Sequence, residues 1–292
     1  MGRGLPTAVR DWQSGGRLVA TGAGRVFVRQ QHGDGPTLLL LHGFPSSSFD
    51  FRHVTALLGR RAWLTLDFLG FGLSDKPRPH RYSLFEQADI VERIVRDAGV
   101  RSVDLIAHDM GTSVATELLA RDLAGTLPFD VRRAVLTNGS VIIERASLRP
   151  AQKVLRGPLG PLLSRLTGER GFTRGFAELF GAQHPLATRE AQAQWELMSR
   201  ADGHRILHLL CAYLNERVAF AERWHGAVRS WPGPLSFLWA TADPVATTSV
   251  LAGLRELRPS ASVIELAGIG HYPQIEVPGE FTEAALRLLG SG

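Results

Sequence analysis

The chain has 292 residues, 44% of them hydrophobic and 21% charged. That balance fits a folded protein with one substantial core, or a core plus an inserted subdomain, and excludes intrinsic disorder. The formal net charge is +5, but the 33 basic residues are scattered, all but Lys76 and Lys153 are arginine, and no basic run or aromatic-basic stripe marks a nucleic-acid footprint.

Cys211 is the sole cysteine, so an intramolecular disulfide is impossible, and its apolar helical surroundings suit a small core residue. Met1 to Ser14 has no apolar secretion core, Pro6 stands where a myristoylation motif needs Ser or Thr, and no later apolar run is long enough to span a bilayer. The expectation is a cytoplasmic protein with no membrane partner.

Arg17 to Ala20 and Arg25 to Gln30 read as strands around Thr21-Gly22-Ala23-Gly24, a hairpin signal. Thr37 to Leu41 is an unbroken apolar run, as in a strand buried on both faces, and ends in His42-Gly43-Phe44-Pro45. Ser46 to Ser48 starts a helix reaching about Leu58, and Ala62 to Leu66 is a second buried strand, ending at Asp67. Gly70-Phe71-Gly72 makes a turn, because Asp75 stands where a dinucleotide fingerprint needs its third glycine. Ser83-Leu84-Phe85-Glu86 reads as a capping box for a helix with Leu84, Ala88, Val91, Ile94, Val95 and Ala98 on one face, stopped by Gly99.

Val103 to Ala107 is the next strand, and it runs through His108-Asp109-Met110-Gly111 into a helical pattern from Thr112 to Arg121. A sharp strand-to-helix turn with Ala107 and Gly111 as small neighbours is the geometry of a nucleophile elbow, with Asp109 at its apex. Serine at that apex does acyl transfer. A carboxylate favours attack on an alkyl carbon, giving a covalent ester, and points to dehalogenation or epoxide opening. On the local residues alone, Asp109 reads equally well as a helix N-cap.

Val131 to Thr137 is a further strand, ending at Asn138-Gly139. From 141 to 231 the alternation gives way to helical periodicity, broken at Gly157-Pro158, Gly160-Pro161 and His184-Pro185. It resumes with a strand from Leu235 to Ala240, a helix from about Thr247 to Leu257, a strand from Ser262 to Leu266 and a helix from Pro278 to Leu289. Such alternation predicts an α/β protein with a mostly parallel, doubly wound sheet that binds ligands at the carboxyl ends of its strands. Residues 1–140 and 232–292 form that core, and 141–231 a helical cap over it.

Strand ends then present His42-Gly43-Phe44-Pro45, Asp109, Asn138, Asp243 and, in Gly268-Ile269-Gly270-His271-Tyr272-Pro273, His271. Nucleophile, acid and histidine follow one another in a known triad order. On these residues the sequence resembles the α/β-hydrolase superfamily, in the aspartate-nucleophile branch of epoxide hydrolases and haloalkane dehalogenases. Along Leu66 to Ala88 it is similar to the mesoderm-specific transcript family. The resemblance implies an α/β-hydrolase fold, Asp109 as nucleophile, His271 as base and Asp243 as the acid that orients it, with Glu144 in reserve. It also implies an oxyanion hole from the backbone N–H groups of Phe44 and Met110, a cis Phe44–Pro45 bond, no cofactor or metal, and a small apolar organic substrate with water.

Two departures shape the function expected. The dehalogenase halide donors would stand at Met110 and Phe44, whose side chains carry no N–H, leaving only a cap Trp such as Trp195 or Trp224. Of the paired cap tyrosines of epoxide hydrolases only Tyr213 is present, in a segment resembling one that bears such a tyrosine. The second donor is missing, or is His184, His204 or His208. His204 and His208 have metal-ligand spacing but no third ligand of matching character nearby. The leading expectation is an epoxide-hydrolase-like enzyme using Asp109 and Tyr213. The alternatives are a dehalogenase with an atypical halide site and a non-catalytic binding or scaffold protein.

Overall fold

Because successive side chains of a strand point to opposite faces, an unbroken apolar run must be covered on both sides. The computed structural model, which describes residues 6–290, shows that cover. Leu39, Leu41, Leu105, Ala107, Phe237 and Trp239 enter one buried cluster, while Leu38, Leu40, Ile106, Leu238 and Ala240 enter another. Residues 1–5, on which part of the targeting expectation rests, lie outside the described residues.

Eight strands form one sheet: β1 (Arg17–Ala20), β2 (Arg25–Gln31), β3 (Asp34–Leu41), β4 (Arg61–Leu66), β5 (Ser102–His108), β6 (Asp130–Thr137), β7 (Leu235–Ala240) and β8 (Ser262–Leu266). Their spatial order is β1-β2-β4-β3-β5-β6-β7-β8. The first two pair antiparallel as the expected hairpin, β2 runs antiparallel to β4, and the remaining pairings are parallel.

Helix α1 (Thr7–Ser14) precedes the sheet, and α2 (Arg52–Leu57), α3 (Leu84–Asp97) and α4 (Met110–Leu123) connect its early strands. Between β6 and β7 the chain contributes helices and loops: α5 (Pro150–Leu155), α6 (Gly160–Leu166), α7 (Glu169–Ala177), α8 (Thr188–Ser199), α9 (Leu207–Leu210), α10 (Tyr213–Ala219) and α11 (Ala221–Ser230). Then follow α12 (Thr248–Leu257), α13 (Pro273–Glu276) and α14 (Pro278–Leu288). Apolar residues of α3, α4 and α12, such as Val91, Leu118 and Leu254, cover one face of the sheet; Val54 of α2 and Phe281 of α14 cover the other. This mostly parallel, doubly wound sheet with helices on both faces is the α/β-hydrolase architecture that the resemblance implied.

Three local features differ from the sequence reading. Helix α1 was not expected, since Thr7–Ser14 has only two strongly apolar positions, Val9 and Trp12. Both are buried against Phe27, Phe49 and Leu197, and tertiary packing of this kind sustains helices too short to stand alone. The helix expected from Ser46–Ser48 begins as a 3₁₀ turn over Ser48–Phe51 before α2.

The third concerns the capping box at Ser83, which is half made. Ser83 Oγ accepts from the Phe85 N–H at 3.2 Å, but Glu86 bonds His80 at 2.7 Å, and the Leu84 N–H is taken by Glu216 of α10 at 2.7 Å. Glu86 is thus spent on His80, and Glu216 ties α10 to the start of α3 through a neighbouring donor.

Further contacts fasten the β6–β7 helices to the sheet. Gln194 of α8 donates to the buried Asp50 at 2.8 Å, and Arg78 donates to the Ala201 and Asp202 carbonyls at 2.8 and 2.7 Å. Buried Glu117 of α4 accepts from Arg223 and from Trp224, the latter at 3.0 Å.

The elbow depends on one close approach. A Cβ at Gly111 would lie 2.6 Å from the carbonyl oxygens of both Leu41 and His42, so α4 reaches β3 only without a side chain there. Gly111→Ala is expected to lower stability by roughly 1–3 kcal/mol through overpacking against rigid backbone, read as a lower urea midpoint at unchanged slope.

Candidate active site

At the elbow, Asp109 has φ 45° and ψ −112°, a sparsely populated conformation for a residue with a Cβ. Its carbonyl compensates by accepting from the Thr112 N–H at 3.0 Å, the Thr112 hydroxyl at 2.6 Å and the Arg217 guanidinium at 2.9 Å. The side chain makes no cap hydrogen bond to α4. Instead Oδ2 accepts from the backbone N–H of Phe44 at 2.9 Å. Met110 is buried as the first residue of α4, a position whose N–H lacks an intrahelical acceptor.

Two neutral histidines set the loops on either side. Burial, with lesser help from His108, pushes the pKa of His42 down to about 3; its Nδ1 donates to the Gly43 carbonyl at 2.9 Å and its Nε2 accepts from the Phe68 N–H at 2.9 Å. Burial and the nearby His271 push His108 down to about 4; its Nε2 donates to the His271 carbonyl at 2.7 Å, and Gln274 donates to its Nδ1. The partners fix each tautomer. The Phe44–Pro45 bond is cis, as the resemblance implied.

His271 Nδ1 donates to Asp243 Oδ2 at 2.7 Å, with both side chains buried. Asp243 also accepts from the Val245 N–H at 2.7 Å, the Ala246 N–H at 3.1 Å and the Asn138 amide at 2.8 Å. Asn138, at φ 43°, clasps the Ala240 backbone as well, so it links β6 to β7 and orients the acid. Glu144 is exposed, and Asp243 is the carboxylate that meets His271. Glu276 anchors the histidine loop by accepting from the Gly270, Gly181 and Tyr272 N–H groups. Burial opposes a charged imidazole, but the Asp243 charge and its hydrogen bond outweigh it and raise the pKa of His271 to about 9, with Asp109 adding to the rise.

Asp109 and His271 share a cavity of about 920 Å³ with Phe44, Pro45 and Val245 at its floor; Leu155, Leu163, Phe172, Phe176 and Leu179 from the β6–β7 helices enclose it. A smaller cavity of about 370 Å³ lies at the amino ends of β3, β4 and β5, at the other end of the sheet from these groups. Tyr213 is buried next to the site but does not line the larger cavity; its ring centroid is 5.8 Å from that of Phe44, and its hydroxyl has no hydrogen-bond partner among the described residues.

Of the other side chains singled out in the sequence, Trp224 spends its N–H on Glu117, and Trp195 packs on Phe172 and His204. His208 bonds Ser164. None of these, nor His184, lines the cavity. Cys211 is fully buried, and burial raises its thiol to about 12, which makes it inert.

Sequence reasoning missed Arg217. It is fully buried, donates to Ser113 Oγ at 2.8 Å, lies 3.8 Å from Asp109 Oδ1, and stacks at 4.7 Å on the Tyr213 ring. Its Nη1 has no hydrogen-bond partner among the described residues. The signal was an arginine on an otherwise apolar helix face, since unpaired Arg is almost never fully buried.

The model of the alpha/beta hydrolase fold family matches residues 36–278, and the chain belongs to that family. It is 66% identical to "Putative hydrolase LipZ" of Mycobacterium tuberculosis, over 97% of this chain and 98% of that one. It is 36% identical to the mesoderm-specific transcript protein of Mus musculus, over 98% and 89% of the two chains. Among solved structures, haloalkane dehalogenase DbeA of Bradyrhizobium elkani superposes with a TM-score of 0.79 at 22% identity, covering 94% of this chain and 98% of that one, a likeness of fold. The protein is thus an α/β-fold hydrolase by family.

Two measurements probe the electrostatics. His271 has its folded pKa raised above the ordinary 6.5, so its contribution to stability is complete below pH 6.5 and is lost as pH rises through about 9. Urea titrations across that window should show wild type losing stability relative to His271→Gln. In a cycle of Asp109→Asn with Arg217→Met, each single change leaves one buried charge uncompensated, and the double variant should recover about 1–3 kcal/mol relative to the sum.

Proposed function

We propose that the protein is a cofactor-independent hydrolase that forms a covalent alkyl ester on Asp109, and that it opens an apolar epoxide to a diol. The observation that carries this reading is the Asp109 carboxylate oxygen already held by the Phe44 N–H, with no bond to the helix it would otherwise cap. A donor in that place supports oxyanion charge on the enzyme's own carboxyl group.

In this scheme Asp109 attacks an epoxide carbon, the ring C–O bond breaks, and Tyr213 gives its proton to the departing oxygen. Its buried hydroxyl has no hydrogen-bond partner among the described residues and feels the charge of Asp109, which supports this role, since leaving such a group unpaired costs about 1–3 kcal/mol. Water then attacks the ester carbonyl carbon while His271 takes a proton, the tetrahedral intermediate collapses to diol and carboxylate, and the proton so released restores Tyr213. Asp243 stabilises the imidazolium between these transfers.

Charge also times the two steps. Asp109 is among the groups that favour protonated His271. Esterification removes that negative charge and makes His271 a readier base when ester hydrolysis calls for one. Arg217 favours the charged carboxylate and the oxyanion over the neutral ester, so it assists the second step more than the first.

Halide departure has less support. Trp224 spends its N–H on Glu117, Trp195 packs on Phe172 and His204, and Phe44 and Met110 bring no side-chain N–H. A non-catalytic scaffold remains the reading if panels of epoxides and haloalkanes give no diol or halide while a ligand still stabilises the fold.

A single turnover in heavy-oxygen water should label the Asp109 carboxylate, and His271→Gln should trap substrate mass on the peptide containing Asp109. An unlabelled Asp109 with no trapped adduct, under conditions where wild type turns over, would falsify the covalent scheme. Tyr213→Phe should lower kcat by about 10²- to 10⁴-fold, the range for a general acid, without loss of stability.

A further inference from the structure

Of the three leucines of helix α6, only Leu163 is half-buried against the core. The helix buries Gly160 and Ser164, the latter bonded to the backbone and ring of His208. It leaves Leu162 and Leu166 exposed by 54% and 73%, and the preceding Leu159 by 61%. The spacing of 159, 162 and 166 puts all three on one face. Val154, at the end of α5, is exposed by 39%. Leu166 also lines the candidate cavity, so the apolar face is continuous with its rim.

The same segment is basic. Residues 149–178 hold Arg149, Lys153, Arg156, Arg165, Arg170 and Arg174 against Glu169 and Glu178. Glu178 is taken by Arg149, while Lys153, Arg165, Arg170 and Arg174 are exposed and have no ion-pair partner among the described residues. Exposed leucines among uncompensated cations suit a surface that is apolar beneath and negative on top, as an anionic lipid layer is. A cavity of about 920 Å³ is also far larger than a small epoxide requires.

We propose that the α5–α7 face docks peripherally on an anionic lipid surface, and that the substrate is a long-chain amphiphile taken up from that layer into the cavity. The substrate class rests on the hydrolase reading above, whereas the docking does not. The sequence expectation of no membrane partner rests on the lack of a secretion core, of a myristoylation motif and of a spanning run, none of which bears on a peripheral face. No helix among the described residues is long and apolar enough to cross a membrane, and peripheral docking needs none.

Flotation with phosphatidylcholine vesicles, and with equimolar phosphatidylcholine and phosphatidylglycerol, tests the docking directly. The protein should float with the mixed vesicles, more weakly as salt is raised, and scarcely at all with phosphatidylcholine alone. Leu159→Asn with Leu162→Asn, and separately Arg165→Glu with Arg174→Glu, should each weaken vesicle binding at least tenfold at an unchanged thermal midpoint. Asp109→Asn should float like wild type. Absence of wild-type flotation at low salt, or binding indifferent to both surface variants, overturns the proposal. So does concentration-dependent dimerisation in light scattering that the leucine variant abolishes, since the face would then belong to a second copy. Vesicle binding with an unlabelled Asp109 sinks the covalent scheme and leaves the docking standing.

Discussion

The hydrogen bond from the Phe44 N–H to Asp109 Oδ2 depends on more of this molecule than any other contact at the site. To make it, β3 and β5 must lie side by side, the chain must leave β3 through the turn fixed by His42, and the elbow must hold Asp109 at a positive φ. A Cβ at Gly43 would stand 2.6 Å from the Asp109 Cβ, so the two loops close only because that residue is glycine. Strain at the elbow is offset by the three donors on the Asp109 carbonyl.

Placing two carboxylates in a buried pocket is costly unless each has a partner. Asp243 has His271, two backbone N–H groups and Asn138. Asp109 has the Phe44 N–H and, within 3.8 Å, Arg217. The two acids are therefore compensated differently, one by a group that can change its charge and one by a group that cannot. That asymmetry is what a two-step reaction through an enzyme ester calls for: a permanent counter-charge where charge is lost and regained, and a titratable one where a proton moves.

The helices between β6 and β7 do more than enclose a cavity. Through α10 they bring Arg217 and Tyr213 to the back of the elbow and Glu216 to the start of α3. Through α8 they reach Asp50, beneath the Phe44 loop, where burial first, then the nearby Glu190, raises the carboxyl to about 7 against its bonds to Ser46 and Gln194. The site is in this sense shared between the sheet and the helices laid over it, while α6 presents its leucines outward.

The strand runs were legible from sequence because a strand covered on both faces has no polar alternation, as Leu38–Leu41, Leu105–Ala107 and Phe237–Ala240 show. Asp109, Asp243 and His271 stood out for the same kind of reason: each follows a strand, and ligands gather where parallel strands end. Contacts between segments far apart in the chain were not legible. Glu86 bonds His80 rather than closing the capping box, the Leu84 N–H goes to Glu216, α1 exists by virtue of the residues it packs on, and the charge facing Asp109 comes from Arg217, 108 positions further along the chain. Local pattern fixes which residues can form an element and which face they bury; which unpaired groups then meet depends on how the finished elements are stacked. A buried polar atom takes whichever partner that stacking brings within reach, so only the tertiary structure decided it.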